Sequence, residues 1–316
     1  MSRRLLISFS GGETSAYMTW LILTQYRHLY DVIVIVFANT GQENEETLVF
    51  VDMCDQFLFR PLGYCVTYLE AVQQHGKRAK AKHRVVSFKT ANRDGAVFED
   101  MISKYGIPNQ KFPHCTRDLK LAPIRSFANE MLCWPQGSYD TAIGIRSDEI
   151  DRMSEDASNS RIVYPLIQWV KRTKPQINWF WINQAFRLHL KGYQGNCKWC
   201  WKKSKRKLFT LIKESPQIFD FPRRMEAKYA YAGPEFRKPL QQVIDFILNG
   251  YRRTFFRQAR TVDMLFAEYD TVKDTFTPAD DDSVVYDSEL DQAGGCGDSE
   301  SCEVFSDEML ATFEDE

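Results

Sequence analysis

Leu5-Leu6-Ile7-Ser8-Phe9-Ser10-Gly11-Gly12-Glu13-Thr14-Ser15 is the stretch on which the reading of this chain turns. The apolar run Leu5 to Phe9 reads as a short buried strand, and it breaks at once into a glycine pair and a helical pattern from Thr14 to about Leu29. Strand, tight loop and helix in that order can cradle phosphate. Glycines bring backbone amides close to an anion, and the helix adds its positive N-terminal end. The hydroxyls of Ser10, Thr14 and Ser15 can donate to phosphate oxygens. A bare Ser-Gly-Gly also suits an ordinary strand-to-helix turn with a hydroxyl cap, so the surroundings must separate the two.

Outward from this loop, Asp31-Val32-Ile33-Val34-Ile35-Val36-Phe37 is a continuous β-branched run, the pattern of a parallel strand covered on both faces. A helix is expected over Glu45 to Phe57, and further strands over Val66 to Leu69 and Thr141 to Ile145. Strands alternating with helices predict an α/β fold with an open, doubly wound, mostly parallel sheet whose sites lie beyond the carboxyl ends of the strands. Lys77 to Arg84 reads as a basic loop. From Pro175 onward the texture is helical, over Trp179 to Lys191, Lys205 to Glu214, Pro216 to Tyr229 and Leu240 to Asn249. The expected organisation is a nucleotide-binding domain over 1–174, a helical extension over 175–273 and an acidic, disordered tail over 274–316.

Charge divides the same way. Residues 274–316 hold 15 of the 42 Asp and Glu and no Lys or Arg, which leaves 41 basic against 27 acidic side chains before them, a net of +14. A basic body suits phosphate-bearing partners, nucleotide or nucleic acid. The carboxylate-rich tail has too little apolar surface to offset its ordering entropy, and folding back onto the basic body is a second expectation for it. No stretch approaches the ~20 apolar residues that span a bilayer. The apolar start is too short for a signal peptide, so a cytoplasmic protein without membrane partners is expected. There, eight cysteines point to reduced thiols or metal ligands rather than disulfides. Cys54, Cys65 and Cys133 lie in apolar stretches and read as core.

Ser10-Gly11-Gly12-Glu13-Thr14-Ser15, preceded by Ser8, resembles the PP-loop of the N-type ATP pyrophosphatases, and more closely that of the phosphoadenosine phosphosulfate reductase-like family within the adenine nucleotide alpha hydrolase-like superfamily. Further stretches fall in register with it. Asn39-Thr40-Gly41-Gln42-Glu43 is similar to the family's Asn-Thr-Gly-x-Glu segment beside the adenosine. Pro113-His114-Cys115-Thr116-Arg117-Asp118-Leu119-Lys120 makes a third match. Gly144-Ile145-Arg146-Ser147-Asp148-Glu149, continuing to Arg152, resembles its Gly-x-Arg-x-x-Glu stretch. The resemblance covers about residues 5–230, and the compact sequence is similar to phage-encoded members of the family. It implies that Arg117, Lys120, Arg146 and Arg152 clamp phosphate or sulfate, because a guanidinium offers forked donors to oxyanions. Ser10, Lys120 and Arg146 are the catalytic candidates.

Cys115 and the CxxC segment Cys197-Lys198-Trp199-Cys200 match three of four cysteines that hold an iron-sulfur cluster in some members, with Thr116 where another cysteine would stand. A [4Fe-4S] cluster with one open iron is therefore implied, against zinc or plain thiols. The tail carries Cys296 and Cys302 but not the Glu-Cys-Gly-His ending of the family's reductases. Around the CxxC, Lys198, Lys202, Lys203, Lys205, Arg206 and Lys207 interleave with Trp199 and Trp201, a composition suited to single-stranded nucleic acid, tRNA or DNA. The expected function is binding of ATP or phosphoadenylyl sulfate, with Mg²⁺, for α-phosphate chemistry linked to sulfur transfer from an unidentified donor. A thiol-dependent reductase of adenylyl sulfate is the first alternative. A non-catalytic nucleotide-binding protein, its acidic tail imitating nucleic acid, is the second; a homo-oligomer is compatible with each.

Overall fold

Successive residues of a strand point to opposite faces, and the first strand obeys this. Leu5 and Ile7 pack with Ile33, Ile35, Phe37, Val66 and Tyr68 on one face, and Leu6 packs with Val36, Ala38 and Leu69 on the other. Burial on both sides explains why these segments read as unbroken apolar runs. The structure is a computed structural model that describes residues 2–280 apart from 75, 77 and 78.

Strand β1 (Arg4–Ser8) runs through the glycine loop into α1 (Glu13–Leu21), and β2 (Val32–Asn39) into α2 (Glu45–Cys54). Then come β3 (Val66–Val72), β4 (Lys82–Val86), α3 (Ala96–Tyr105), α4 (His114–Thr116), α5 (Ala122–Glu130), β5 (Asp140–Ala142) and β6 (Ile162–Val163). The helices α6 (Pro165–Gln168), α7 (Lys174–Ile182), α8 (Lys205–Glu214), α9 (Asp220–Tyr229), α10 (Leu240–Leu248) and α11 (Val262–Val272) follow. The six strands form one sheet of order β4-β3-β2-β1-β5-β6, parallel except for the β3–β4 pair. The chain is thus an α/β protein with a mostly parallel sheet, and β1 has β2 on one side and β5 on the other.

Several expectations shift. The basic stretch ending at Arg84 is not all loop: Lys82–Val86 is an antiparallel edge strand, tied across to β3 by an Arg84–Glu70 ion pair at 2.5 Å, while residues 77 and 78 lie outside the described residues. The helix expected over Trp179 to Lys191 instead covers Lys174–Ile182: it starts earlier, because Thr173 and Gln176 form a capping box and Pro175 takes its first turn, and it ends well before Lys191. Ile177, Trp181, Leu188 and Leu190, beyond position 174, join the core on the β1–β2 face. Cys54 is buried as expected, but Cys65 and Cys133 are exposed. Cys65 lies at the entry to β3, and Cys133 sits in a turn with φ +55°. The segment from 281 on, with Cys296 and Cys302, lies outside the described residues. Among the described residues no helix is long and apolar enough to cross a membrane.

Gly11 shows why the loop needs glycine. Its φ is +85°, and a Cβ there would meet Thr47 Cγ2 at 2.7 Å and the Phe37 ring at 3.0 Å. Gly11→Ala is expected to destabilise the fold by about 2 kcal/mol, read as a lower urea midpoint at unchanged slope. A wild-type midpoint would mean that the loop is not pressed against α2.

Candidate functional site

The loops that leave the carboxyl ends of β1, β2 and β5 carry most of the residues singled out from the sequence. At β1, Gly12 is the N-cap of α1 with no side-chain cap, and its carbonyl accepts from Ala16 N at 3.0 Å. The Ser10 and Ser15 hydroxyls bond each other at 2.9 Å. Ser15 Oγ also donates to Gly12 O at 3.0 Å and accepts from Ser10 N at 3.2 Å. Two hydroxyls and the amino end of a helix are therefore gathered within one turn.

Glu13 does not face outward. It is buried, and its carboxylate receives Arg187 Nε and Nη2, each at 2.9 Å, and Leu188 N at 3.2 Å. Its carbonyl accepts from the Trp181 indole at 3.0 Å. A forked guanidinium bond of this kind is strong because both donors are charge-assisted. Sequence reading assigned Glu13 to nucleotide binding; in the structure it anchors the loop to the chain that follows α7.

Beyond β5, Gly144 passes so close to α1 that a Cβ would lie 3.0 Å from Ser15 Cα. Arg146 is 3% exposed. Its guanidinium is held by Asp148 at 3.2 Å and Glu149 at 3.5 Å, and Nη1 donates to Thr14 Oγ1 at 3.4 Å. Arg152 pairs with the same Glu149. One buried carboxylate thus sets two arginines, one of them against the glycine loop.

At β2, Asn39 Nδ2 donates to Glu70 at 2.7 Å and its Oδ1 accepts from Gly41 N at 3.1 Å. Thr40 is bonded through its amide and hydroxyl to Glu43, at 2.9 Å each. Asn39, Thr40, Glu43 and Glu70 are all buried, so this turn is rigid rather than a surface loop. The segment before and through the CxxC lies along it. Asn44 N donates to Asn196 O at 2.7 Å, Lys198 N to Gln42 O at 3.1 Å, and the Trp199 indole to Gln42 Oε1 at 2.6 Å, while Glu43 and Cys197 pair as an isolated bridge. Asn196 Nδ2 then reaches Ser10 O at 2.9 Å. This strap joins two of the expected site segments, and no signal in the sequence announced it.

The three cysteines behave differently from the loops. Cys115, Cys197 and Cys200 are partly buried cysteines. Among the described residues no three or more His, Cys, Asp or Glu side chains gather into a metal site. Trp199 and Trp201 are 0% and 5% exposed, packed with Phe98, Phe221 and Phe255, so their rings offer no stacking face to bases.

Arg117 belongs to another group of residues. It pairs with Asp118 at 3.0 Å and lies over the Tyr105 ring, 5.2 Å from its centre. The wide turn Arg117–Leu121 that carries it also bears the half-buried Lys120. Beside Arg117, the His114 imidazole has Arg117 Nη2 at 3.5 Å from Nδ1 and Arg253 Nη1 at 3.4 Å from Nε2. A neutral ring can accept from only one of these guanidiniums, and a charged ring from neither. Burial and the two arginines depress the imidazole's pKa to about 3. Arg253, itself buried and paired with Glu235 at 2.8 Å, carried no signal in the sequence.

Two outcomes follow from these contacts. Removing the arginine side chain in Arg187→Ala leaves a buried carboxylate without its counter-ion and is expected to cost about 3 kcal/mol in denaturant unfolding; Glu13→Gln combined with Arg187→Met should cost less. Equal losses would mean that the pair is not coupled. His114 should stay neutral in ¹⁵N NMR spectra from pH 7.5 down to about pH 4. Between pH 6.5 and 3 the unfolded chain binds the proton and the folded chain does not, so His114 makes stability fall as pH falls through that window. A His114→Phe variant should weaken that slope, and an imidazole titrating near 6.5 would contradict it.

No family model matches the chain. Over 211 residues, 66% of this chain and 69% of the other, it is 31% identical to the uncharacterized nin region protein ORF290 of Escherichia phage lambda. With that identity over more than two thirds of the relative's length, the chain belongs to the family of this phage lambda nin region protein.

Proposed function

We propose that the chain is a PP-loop enzyme of the phosphoadenosine phosphosulfate reductase-like type, with a doubly wound sheet, that binds ATP or a sulfated adenine nucleotide for α-phosphate chemistry linked to sulfur transfer. One observation carries the reading: the Ser10–Ser15 hydroxyl pair sits at the uncapped amino end of α1, with the buried Arg146 guanidinium drawn onto Thr14 of the same turn. Ligands in open α/β sheets bind outside the carboxyl ends of strands where the strand order reverses, and the loop leaves β1 between β2 and β5.

In this reading, the hydroxyls of Ser10, Thr14 and Ser15 turn onto phosphate oxygens, and the amides of Gly11 and Gly12 face the charge that grows at phosphorus. Arg146 adds positive charge there, and Arg152 steadies Arg146 through their shared Glu149; the same role for Lys120 rests on the sequence resemblance. The Asn39–Glu43 turn receives the adenosine, and its buried hydrogen bonds keep the backbone fixed for that contact. Mg²⁺ would arrive with the nucleotide and neutralise its phosphates. The chain's own part in the reaction is to align the α-phosphate and shed water from it. In the ATP version, an acceptor oxygen attacks the α-phosphorus, the bond to pyrophosphate breaks, and the adenylated acceptor then loses AMP to incoming sulfur.

Isothermal titration calorimetry under reducing, oxygen-free conditions tests this. ATP or phosphoadenylyl sulfate with Mg²⁺ should bind, and Ser10→Ala should weaken the better ligand by about tenfold, the size of one charge-assisted hydrogen bond. Absence of heat with every adenine nucleotide would sink the reading. Release of pyrophosphate or of sulfite by the wild type would separate the thiolation and reductase chemistries.

A further inference from the structure

A cleft of about 500 Å³ opens away from the glycine loop, between the start of α8 and the turn that precedes α11. Four of its lining side chains are cationic, Lys203, Lys205, Arg257 and Arg260, and none is acidic. Ser204, the N-cap of α8, lies in the same wall and bonds Lys207 N at 3.3 Å, so the positive end of a ten-residue helix adds to the cations. Between Arg257 and Arg260, Gln258 and Ala259 both hold left-handed backbone, at φ +61° and +56°. Two successive non-glycine residues in that conformation are strained. Trp201, also in the lining, is 5% exposed, and its indole N–H finds no acceptor among the described residues. The cations already attract one carboxylate, since Glu268 takes both Lys205, at 2.7 Å, and Arg260.

The course of the chain after α11 bears on what fills this cleft. Phe276 packs on Phe209 and lies under Lys213, in the last turns of α8. Ala279 N then donates to Thr210 Oγ1 at 2.8 Å. Next, Arg206 holds Pro278 O at 2.7 Å and Asp280 at 2.8 Å. The segment therefore climbs α8 from its end toward its beginning, and at Asp280 it has reached Arg206, the residue that follows Lys205 of the cleft. Residues 281–316, which continue from that point, contain 13 carboxylates and no Lys or Arg.

We propose that the cleft is the docking site of the chain's own acidic segment beyond Asp280, whose carboxylates meet Lys203, Lys205, Arg257 and Arg260. Charge, direction and continuity all favour this occupant over a nucleic-acid strand. Trp201 and Phe256 in the walls are 5% and 3% exposed, which leaves no ring face for bases to stack on. This inference does not depend on the nucleotide reading above.

Zero-length carbodiimide coupling of the full chain, read by peptide mass spectrometry, tests it directly. Lys205, the exposed lysine of the cleft, should carry the largest share of lysine links to carboxylates beyond Asp280, within single molecules, and these links should disappear at about 0.5 M salt, where charges are screened within a few Å. Links spread evenly over the body's lysines would overturn the proposal, as would links mainly between molecules. A full-length variant with Asp281, Asp282, Asp287 and Asp291 changed to Asn and Glu289 to Gln provides a second readout that leaves the folded body intact. Arg257 should become more reactive to phenylglyoxal in this variant, and a short thymidine oligonucleotide should bind it more tightly than it binds the wild type. Unchanged reactivity, or equal oligonucleotide affinity, would mean that the acidic segment does not occupy the cleft.

Discussion

The carboxylate of Glu13 is the constraint on which the loop after β1 depends. A charge this deeply buried is tolerated only when its lone pairs are met, and here Arg187 and the Leu188 amide meet them. The same residue offers its carbonyl to Trp181, so both ends of Glu13 are committed to residues more than 160 positions downstream. The hydroxyls of Ser10 and Ser15 consequently hang from a backbone that is pinned on its far side. Asn196 adds a second fastening through Ser10 O. The later part of the chain is therefore a structural component of the first loop and not only an appendage to it.

Several arginines among the described residues are held by carboxylates at short range. Glu149 serves Arg146 and Arg152, Asp118 serves Arg117, Glu235 serves Arg253, and Glu70 serves both Arg84 and Asn39. A guanidinium held in this way stays put and keeps its field, which an exposed lysine on a flexible stem does not. His114 is costly to protonate, because it is buried and has arginines on two sides.

The strands, their parallel arrangement and the polar turns at their ends were legible because both rest on local chemistry: β-branched runs such as Ile33 to Phe37, and glycines where a left-handed turn is required, as at Gly11 and Gly41. Ser10, Thr14 and Ser15 were legible as a group from the loop itself, and Arg146 was placed with them by the family resemblance. What escaped was long-range. Nothing near Arg187 in sequence says that it faces Glu13, and nothing near Arg253 says that it faces His114. The aromatic residues around the CxxC illustrate the opposite error. Trp199 and Trp201 sit among lysines in the sequence, but alternation along an irregular strap turns the rings inward while Lys198 and Lys202 stay half-exposed, so composition suggested a binding face where packing built a core. Cys65 and Cys133 were misread for a related reason: neighbours of apolar residues at the ends of elements are carried to the surface by the turn that ends the element.

The sheet's margins carry a consequence for assembly. One outer strand, β4, presents Lys82 and Arg84 to solvent, and the other, β6, is only two residues long. Unsatisfied backbone groups on a long, flat, apolar margin would invite a neighbour's strand to zip on, whereas charge on one side and brevity on the other discourage it. Charge on one margin and brevity on the other thus make strand-to-strand joining of two copies unfavourable.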